Sequence, residues 1–129
     1  MSIPITYIDL MPSAEVDAGE VFCGSLDSPL STEGLRGLKK GVRRKSGWDM
    51  VVTSPLQRCA RFAEWLAQKH ELPLQEEPAF REMDFGAWEG DFPHVILQKH
   101  IKELGCWWSD PSRVTPPDGE SPGAFYGGY

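Results

Sequence analysis

Apolar positions recur along this chain in two periods. From Leu56 onward, Cys59, Ala60, Ala63, Leu66 and Ala67 repeat at helical spacing, while Gln57, Arg61, Glu64 and Gln68 take the opposite face. This predicts a helix, and Ser54-Pro55 supplies a capping hydroxyl and a first-turn proline at its start. Just before it, Met50, Val51 and Val52 form a short run rich in β-branched residues, which predicts a strand covered on both faces in a parallel sheet. Upstream, Leu35, Leu38 and Val42 follow Ser31 at i, i+3 and i+7 and predict a second capped helix. Ile3 to Met11 reads as an opening buried strand interrupted by Asp9, and Leu72 to Leu74 as a third short strand. Leu97, Ile101 and Leu104 mark a last helix from Pro93 to Leu104, stopped by Gly105. Residues 107–129, with Pro111, Pro116, Pro117 and Pro122, read largely as loop. The order strand, helix, strand, helix predicts an α/β fold with a mostly parallel sheet and helices on both faces.

Composition narrows the class without naming a function. At 129 residues, 40% hydrophobic and 25% charged, the chain reads as a single globular domain over 1–129. A formal charge of -6 argues against a general nucleic-acid binder. No apolar run approaches membrane-spanning length and no basic region precedes the apolar N-terminus, so neither membrane association nor a signal peptide is expected. Cys23, Cys59 and Cys106 form neither a disulfide framework nor a zinc pattern, which points to a reducing cytoplasm. Arg36, Lys39, Lys40, Arg43, Arg44 and Lys45 gather six of the 13 basic residues on the helix over 36–45. They read as a solvated outer face, because no aromatics interleave for base stacking.

Candidate chemistry concentrates in three places. The segment 12–30 is long and irregular between two regular elements, and such loops are often functional. Arg58 lies in the first turn of a helix at the carboxyl end of a parallel strand, where free N–H groups and a guanidinium together suit a phosphate; the plainer reading is a surface arginine. In FREMDFGAWEG, residues 80–90, Glu82, Asp84 and Glu89 bracket Phe80, Phe85 and Trp88. A carboxylate held beside those rings would gain general-acid character by desolvation; otherwise the rings plug the sheet and the acids stay in water. His70, His94 and His100 sit at no predicted strand end, and the six-residue spacing of the last two does not suit a shared metal.

Taken in order, PSAEV, CGSLDSPLSTEG, VVTSPLQRCARFA, FREMDFGAWEG and PPDGES resemble the histidine phosphatase (phosphoglycerate mutase-like) superfamily, from about Ile5 to Ser121. Within it, the α-ribazole phosphatase branch of cobalamin biosynthesis is the nearest likeness. The resemblance implies a first strand ending in Arg-His-Gly, whose histidine becomes phosphorylated, with arginines on the phosphoryl oxygens and a carboxylic acid protonating the leaving oxygen. It implies no metal and no cofactor, since guanidinium groups and a second histidine balance the developing charge. Carried onto this chain, Arg58 is the phosphate-binding arginine and Glu82 the general acid.

The departures bear on activity. Pro12-Ser13-Ala14 stands where the family has Arg-His-Gly, so Ser13 occupies the nucleophile position and Pro12 that of an arginine. A serine hydroxyl needs an adjacent base, and no histidine is near in sequence. The family's other histidine lies beyond the GES segment, and with it a C-terminal part of the sheet, so a truncated sheet with an open edge is expected. The expectation is therefore a phosphomonoesterase-family domain impaired in covalent chemistry. It would bind inorganic phosphate or a phosphorylated small molecule weakly, and its exposed sheet edge would favour self-association. The alternative is a non-catalytic module that binds protein or nucleic acid through that edge or the basic helix.

Overall fold

The structure, a computed structural model, describes residues 3–42 and 47–127. Its regular elements in chain order are α1 (Thr32–Gly41), β1 (Val51–Thr53), α2 (Gln57–Lys69), β2 (Leu74–Glu76), α3 (Pro93–Lys99), α4 (Ile101–Ser109) and α5 (Pro122–Gly127). Short 3-10 turns cover Pro78–Phe80, Gly86–Trp88 and Pro111–Arg113. The fold is α/β: β1 and β2 pair in parallel, Val51 opposite Leu74 and Thr53 opposite Glu76, with α2 as the crossover. Arg43, Arg44 and Lys45 of the expected basic helix lie outside the described residues.

The helical periodicities translate into packing. Ser31 caps α1, its Oγ accepting from the Gly34 N–H at 3.0 Å. Ala60, Ala63, Leu66 and Ala67 of α2 are buried as expected, joined by Phe62, while Arg61, Glu64 and Gln68 face water. Val42, Phe62 and Leu66 form one apolar cluster, with Leu35, Leu38, Trp48 and Val51 packed against it. A second cluster is built by Trp88, Ile96 and Leu104, with Phe22, Phe85, Trp107 and Val114 around it. Full burial of each such aliphatic side chain stabilises by about 1.5–3 kcal/mol.

Several expected elements differ. Ile3 to Met11 forms no strand; Ile3, Ile5, Tyr7, Ile8 and Leu10 are 71–91% exposed. The segment passes the open flank of β1, tied by the Trp48 indole N–H donating to Asp9 Oδ2 at 2.8 Å, without the hydrogen-bond ladder a strand requires. β1 begins one residue later than expected, and Val52 is 45% exposed, because among the described residues nothing covers that face. β2 is likewise displaced from 72–74 to Leu74–Glu76, the register that pairs it with β1. The helix expected over 93–104 is two helices, broken at His100, and Gly105 lies inside α4 rather than ending it. The break resets the helical phase, so Ile96 and Leu104 are buried while Leu97 and Ile101 face solvent. Within 107–129, α4 runs on to Ser109 and α5 adds a further six residues.

Candidate functional site

Between the two apolar clusters runs the loop Cys23–Leu26, and the site is built around it. On one side stands Arg58, in the first turn of α2 and only 7% exposed. Its Nη2 donates to the Gly24 carbonyl at 3.0 Å, and its Nη1 donates to the Leu26 carbonyl at 3.1 Å and to Cys23 Sγ at 3.0 Å. A guanidinium carries five N–H groups, so among the described residues the Nε–H and one Nη2–H are left over from these three bonds. On the other side, the Glu89 carboxylate accepts from the backbone N–H groups of Gly24, Ser25, Leu26 and Phe85, at 2.8 to 3.1 Å. A Cβ on Gly24 would overlap the Met83 carbonyl oxygen and a Glu89 oxygen, so only glycine allows the loop to pass this close.

The next residue of the loop reaches α2 directly. Asp27 Oδ1 accepts from the Gln57 N–H at 2.6 Å and caps the helix. The cap is therefore not Ser54-Pro55, which precede the helix; the Ser54 hydroxyl instead accepts from the Leu56 N–H at 3.3 Å, because the first helical residue is Gln57. A carboxylate at that helix N-terminus already meets part of its affinity for anions.

A cleft of about 290 Å³ lies beside Arg58, between the passing segment Asp9–Ser13 and the strand-to-helix turn of Thr53 and Ser54. Ser13, Arg58 and Cys59 line it together, above a floor of Phe62, Ala63 and Leu66. None of the three histidines lines it; His70 packs edge-on to Trp48 and His94 stacks on Phe92. Glu82 is exposed and lines a different, smaller cleft with Phe85, Trp107 and Tyr126, its Oε1 accepting from the Met83 N–H at 2.8 Å. Its charge still reaches the first cleft: burial pushes the Cys59 thiol above its ordinary value, Arg58 opposes the rise, and Glu82 adds to it. The structure thus brings Ser13 and Arg58 to one cavity and sets Glu82 in a separate one.

The sequence offers Glu89 only as one of three carboxylates with possible acid character, and Gly24 and Asp27 only as members of the irregular 12–30 segment; that they hold the loop against Arg58 and α2 was not read from it. A carboxylate between Trp88 and Gly90 was the available signal, since a buried indole and a turn glycine draw their neighbour inward. Among the described residues no group of three or more His, Cys, Asp or Glu could hold a metal ion. No helix among them is long and apolar enough to cross a membrane. Of the described basic helix, Arg36 pairs with Glu33 at 3.1 Å and Lys39 lies over the Trp65 ring, contacts that fit a solvated outer face.

The family model of the histidine phosphatase superfamily (branch 1) matches residues 13–127. The chain is 29% identical over 111 residues to adenosylcobalamin/alpha-ribazole phosphatase of Escherichia coli (strain K12), covering 81% of this chain and 53% of that protein. It spans about half the length of the curated relatives it matches. The crystal structure of alpha-ribazole phosphatase from Shigella flexneri superposes with a TM-score of 0.78 at 24% identity, over 90% of this chain and 59% of that one. A mycobacterial glucosyl-3-phosphoglycerate phosphatase in complex with inorganic phosphate gives a TM-score of 0.71 at 23% identity, over 90% and 55%. At these identities the two structures share its fold.

Proposed function

The chain belongs to the histidine phosphatase superfamily, branch 1, and from that premise we propose a phosphomonoester-binding domain of this family whose covalent chemistry is impaired. The observation that carries the reading is the cleft that Ser13 and Arg58 line together with no histidine. The two spare N–H groups of Arg58 would hold two phosphoryl oxygens, with the Ser54 hydroxyl beside them. Glu82 is the proposed acid for the leaving oxygen, a role that calls for its exposed side chain to turn toward Cys59. Ser13 stands where the family's attacking imidazole stands, and among the described residues no histidine lines the cleft to take its proton. Removal of a covalent nucleophile from other enzymes slows turnover by on the order of a millionfold, so phosphate is bound and not transferred. Inorganic phosphate and, from the relative's name, an α-ribazole phosphate ester are the ligands to test first.

The test is the triple variant Pro12→Arg, Ser13→His, Ala14→Gly, incubated with a ³²P-labelled monoester. The unaltered chain is expected to give no labelled protein and no hydrolysis of an aryl phosphate, and the variant to carry label on residue 13. A variant that neither binds phosphate nor labels would remove the residual pocket. Hydrolysis by the unaltered chain that Ser13→Ala abolishes would instead make it a serine-dependent phosphomonoesterase.

A second reading, self-association, draws on the five large apolar side chains exposed between Ile3 and Leu10 beside the open flank of β1. Apolar surface of this kind favours a second copy of the chain. Sedimentation velocity would then show a concentration-dependent dimer that Ile8→Asp weakens; a monomer at all concentrations would end this reading.

A further inference from the structure

The Arg58 and Glu89 side chains do not touch each other, yet they hold opposite sides of one peptide group. The carbonyl of Gly24 accepts from Arg58 Nη2 at 3.0 Å, and the N–H of Ser25, the other half of the same peptide, donates to Glu89 Oε1 at 2.8 Å. The peptide lies in the field between a cation and an anion, so each bond polarises it and strengthens the other. Glu89 also gathers the N–H groups of Gly24, Leu26 and Phe85. Successive backbone N–H groups turned to one point form an anion cradle, and here the protein's own carboxylate occupies it. Among the described residues neither Glu89 nor Arg58 has an ion-pair partner of its own. Their charges are met by the loop.

We propose that Glu89 is a positioning residue for the phosphate site: it fixes the orientation of peptide 24–25, and through that peptide the direction in which Arg58 presents its remaining N–H groups. Without the carboxylate, the N–H groups of residues 24–26 lose their common acceptor, the Gly24 carbonyl is free to turn away, and Arg58 loses a bond that aims it. The inference rests on the phosphate reading of the cleft only for its functional consequence; the positioning itself is a claim about the guanidinium.

The experiment is NMR on the unaltered chain, Glu89→Gln and Glu89→Asp, with and without inorganic phosphate. Glutamine keeps the shape but removes the charge and puts an NH₂ group against backbone donors. In the unaltered chain the Ser25 and Leu26 amides are expected to be protected from exchange, and the Arg58 side-chain N–H signals to be resolved. In Glu89→Gln that protection is expected to fall by about tenfold or more, the Arg58 signals to broaden, and phosphate affinity to drop by a similar factor. Aspartate, shorter but charged, is expected to restore part of each. Resolved Arg58 signals and unchanged loop exchange in Glu89→Gln would overturn the proposal. So would unprotected Ser25 and Leu26 amides in the unaltered chain, which decides the matter even if the variants do not fold. If the unaltered chain shows the expected Arg58 signals but no phosphate-induced shifts, the phosphate reading fails while the positioning role is still decided by the variants.

Discussion

Replacing Arg58 tests two roles at once, the loop contacts it makes in the structure and the phosphate contact proposed for it. A residue that only awaits a ligand stores no stability, and removing its charge commonly leaves the fold unharmed or firmer. Arg58 is instead buried and donates to two carbonyl oxygens and a sulfur of the loop 23–26. A hydrogen bond from a charged donor contributes about 1.5–3 kcal/mol, and a buried carbonyl left without one costs a comparable amount. Lysine keeps the charge but has one nitrogen, which reaches one of the two carbonyls. Arg58→Lys should therefore cost about 2 kcal/mol and Arg58→Met about 4 kcal/mol.

With a urea slope of about 2 kcal/mol per molar, these losses move the unfolding midpoint down by about 1 M and 2 M. Phosphate adds a second axis to the assay, because a ligand that binds only the folded state raises the midpoint in proportion to its affinity. The unaltered chain should gain stability in phosphate, Arg58→Lys less, and Arg58→Met none. An Arg58→Met variant that unfolds within about 0.5 kcal/mol of the unaltered chain, the range of an ordinary surface change, would show that these bonds do not hold the loop.

Gly24→Ala should break the same clamp from inside, since its Cβ has no room beside the Met83 carbonyl; loss of the Ser25 and Leu26 amide protection with α1 and α2 intact by circular dichroism is the expected signature. In the second cluster, Ile96→Ala should cost about 3 kcal/mol in urea unfolding by leaving a cavity. Trp88→Phe should cost clearly less, because among the described residues the buried Trp88 indole N–H has no acceptor and its removal relieves an unmet donor. Iodoacetamide at neutral pH should modify exposed Cys106 well before Cys59, whose thiol holds its proton above the ordinary 9.0. The folded chain then keeps a proton that the unfolded chain releases, so this contribution to stability is complete below pH 9.0 and is lost as pH rises past it. A urea midpoint that falls no faster above pH 9 than that of Cys59→Ala would contradict the burial of this thiol.

What the sequence disclosed and what it concealed divide along a physical line. Periodic burial is written into residue identity, so α1 with its Ser31 cap, the buried stripe of α2 and the place of Arg58 in the first turn were all legible. The apolar run from Ile3 to Met11 reads as a strand yet forms none, because β-branched composition reports fitness for a pleated surface and says nothing of whether a neighbouring strand is there to pair. The break at His100 was missed for a related reason: two short helices can each keep a 3.6-residue period while the phase between them shifts, which sends Ile96 and Leu104, rather than Leu97 and Ile101, toward Trp88. The clamp was hidden most completely. Its acceptors and donors are peptide groups, which every residue except proline offers alike, so a side chain that binds backbone leaves its trace at one end of the contact alone. Two marks did remain in the chain: a glycine at 24, where any Cβ would collide, and a carboxylate at 89 set between a buried tryptophan and a turn. The placement of Ser13 beside Arg58 came from motif order and not from periodicity, so it is the part of the site most exposed to the phosphate and labelling tests.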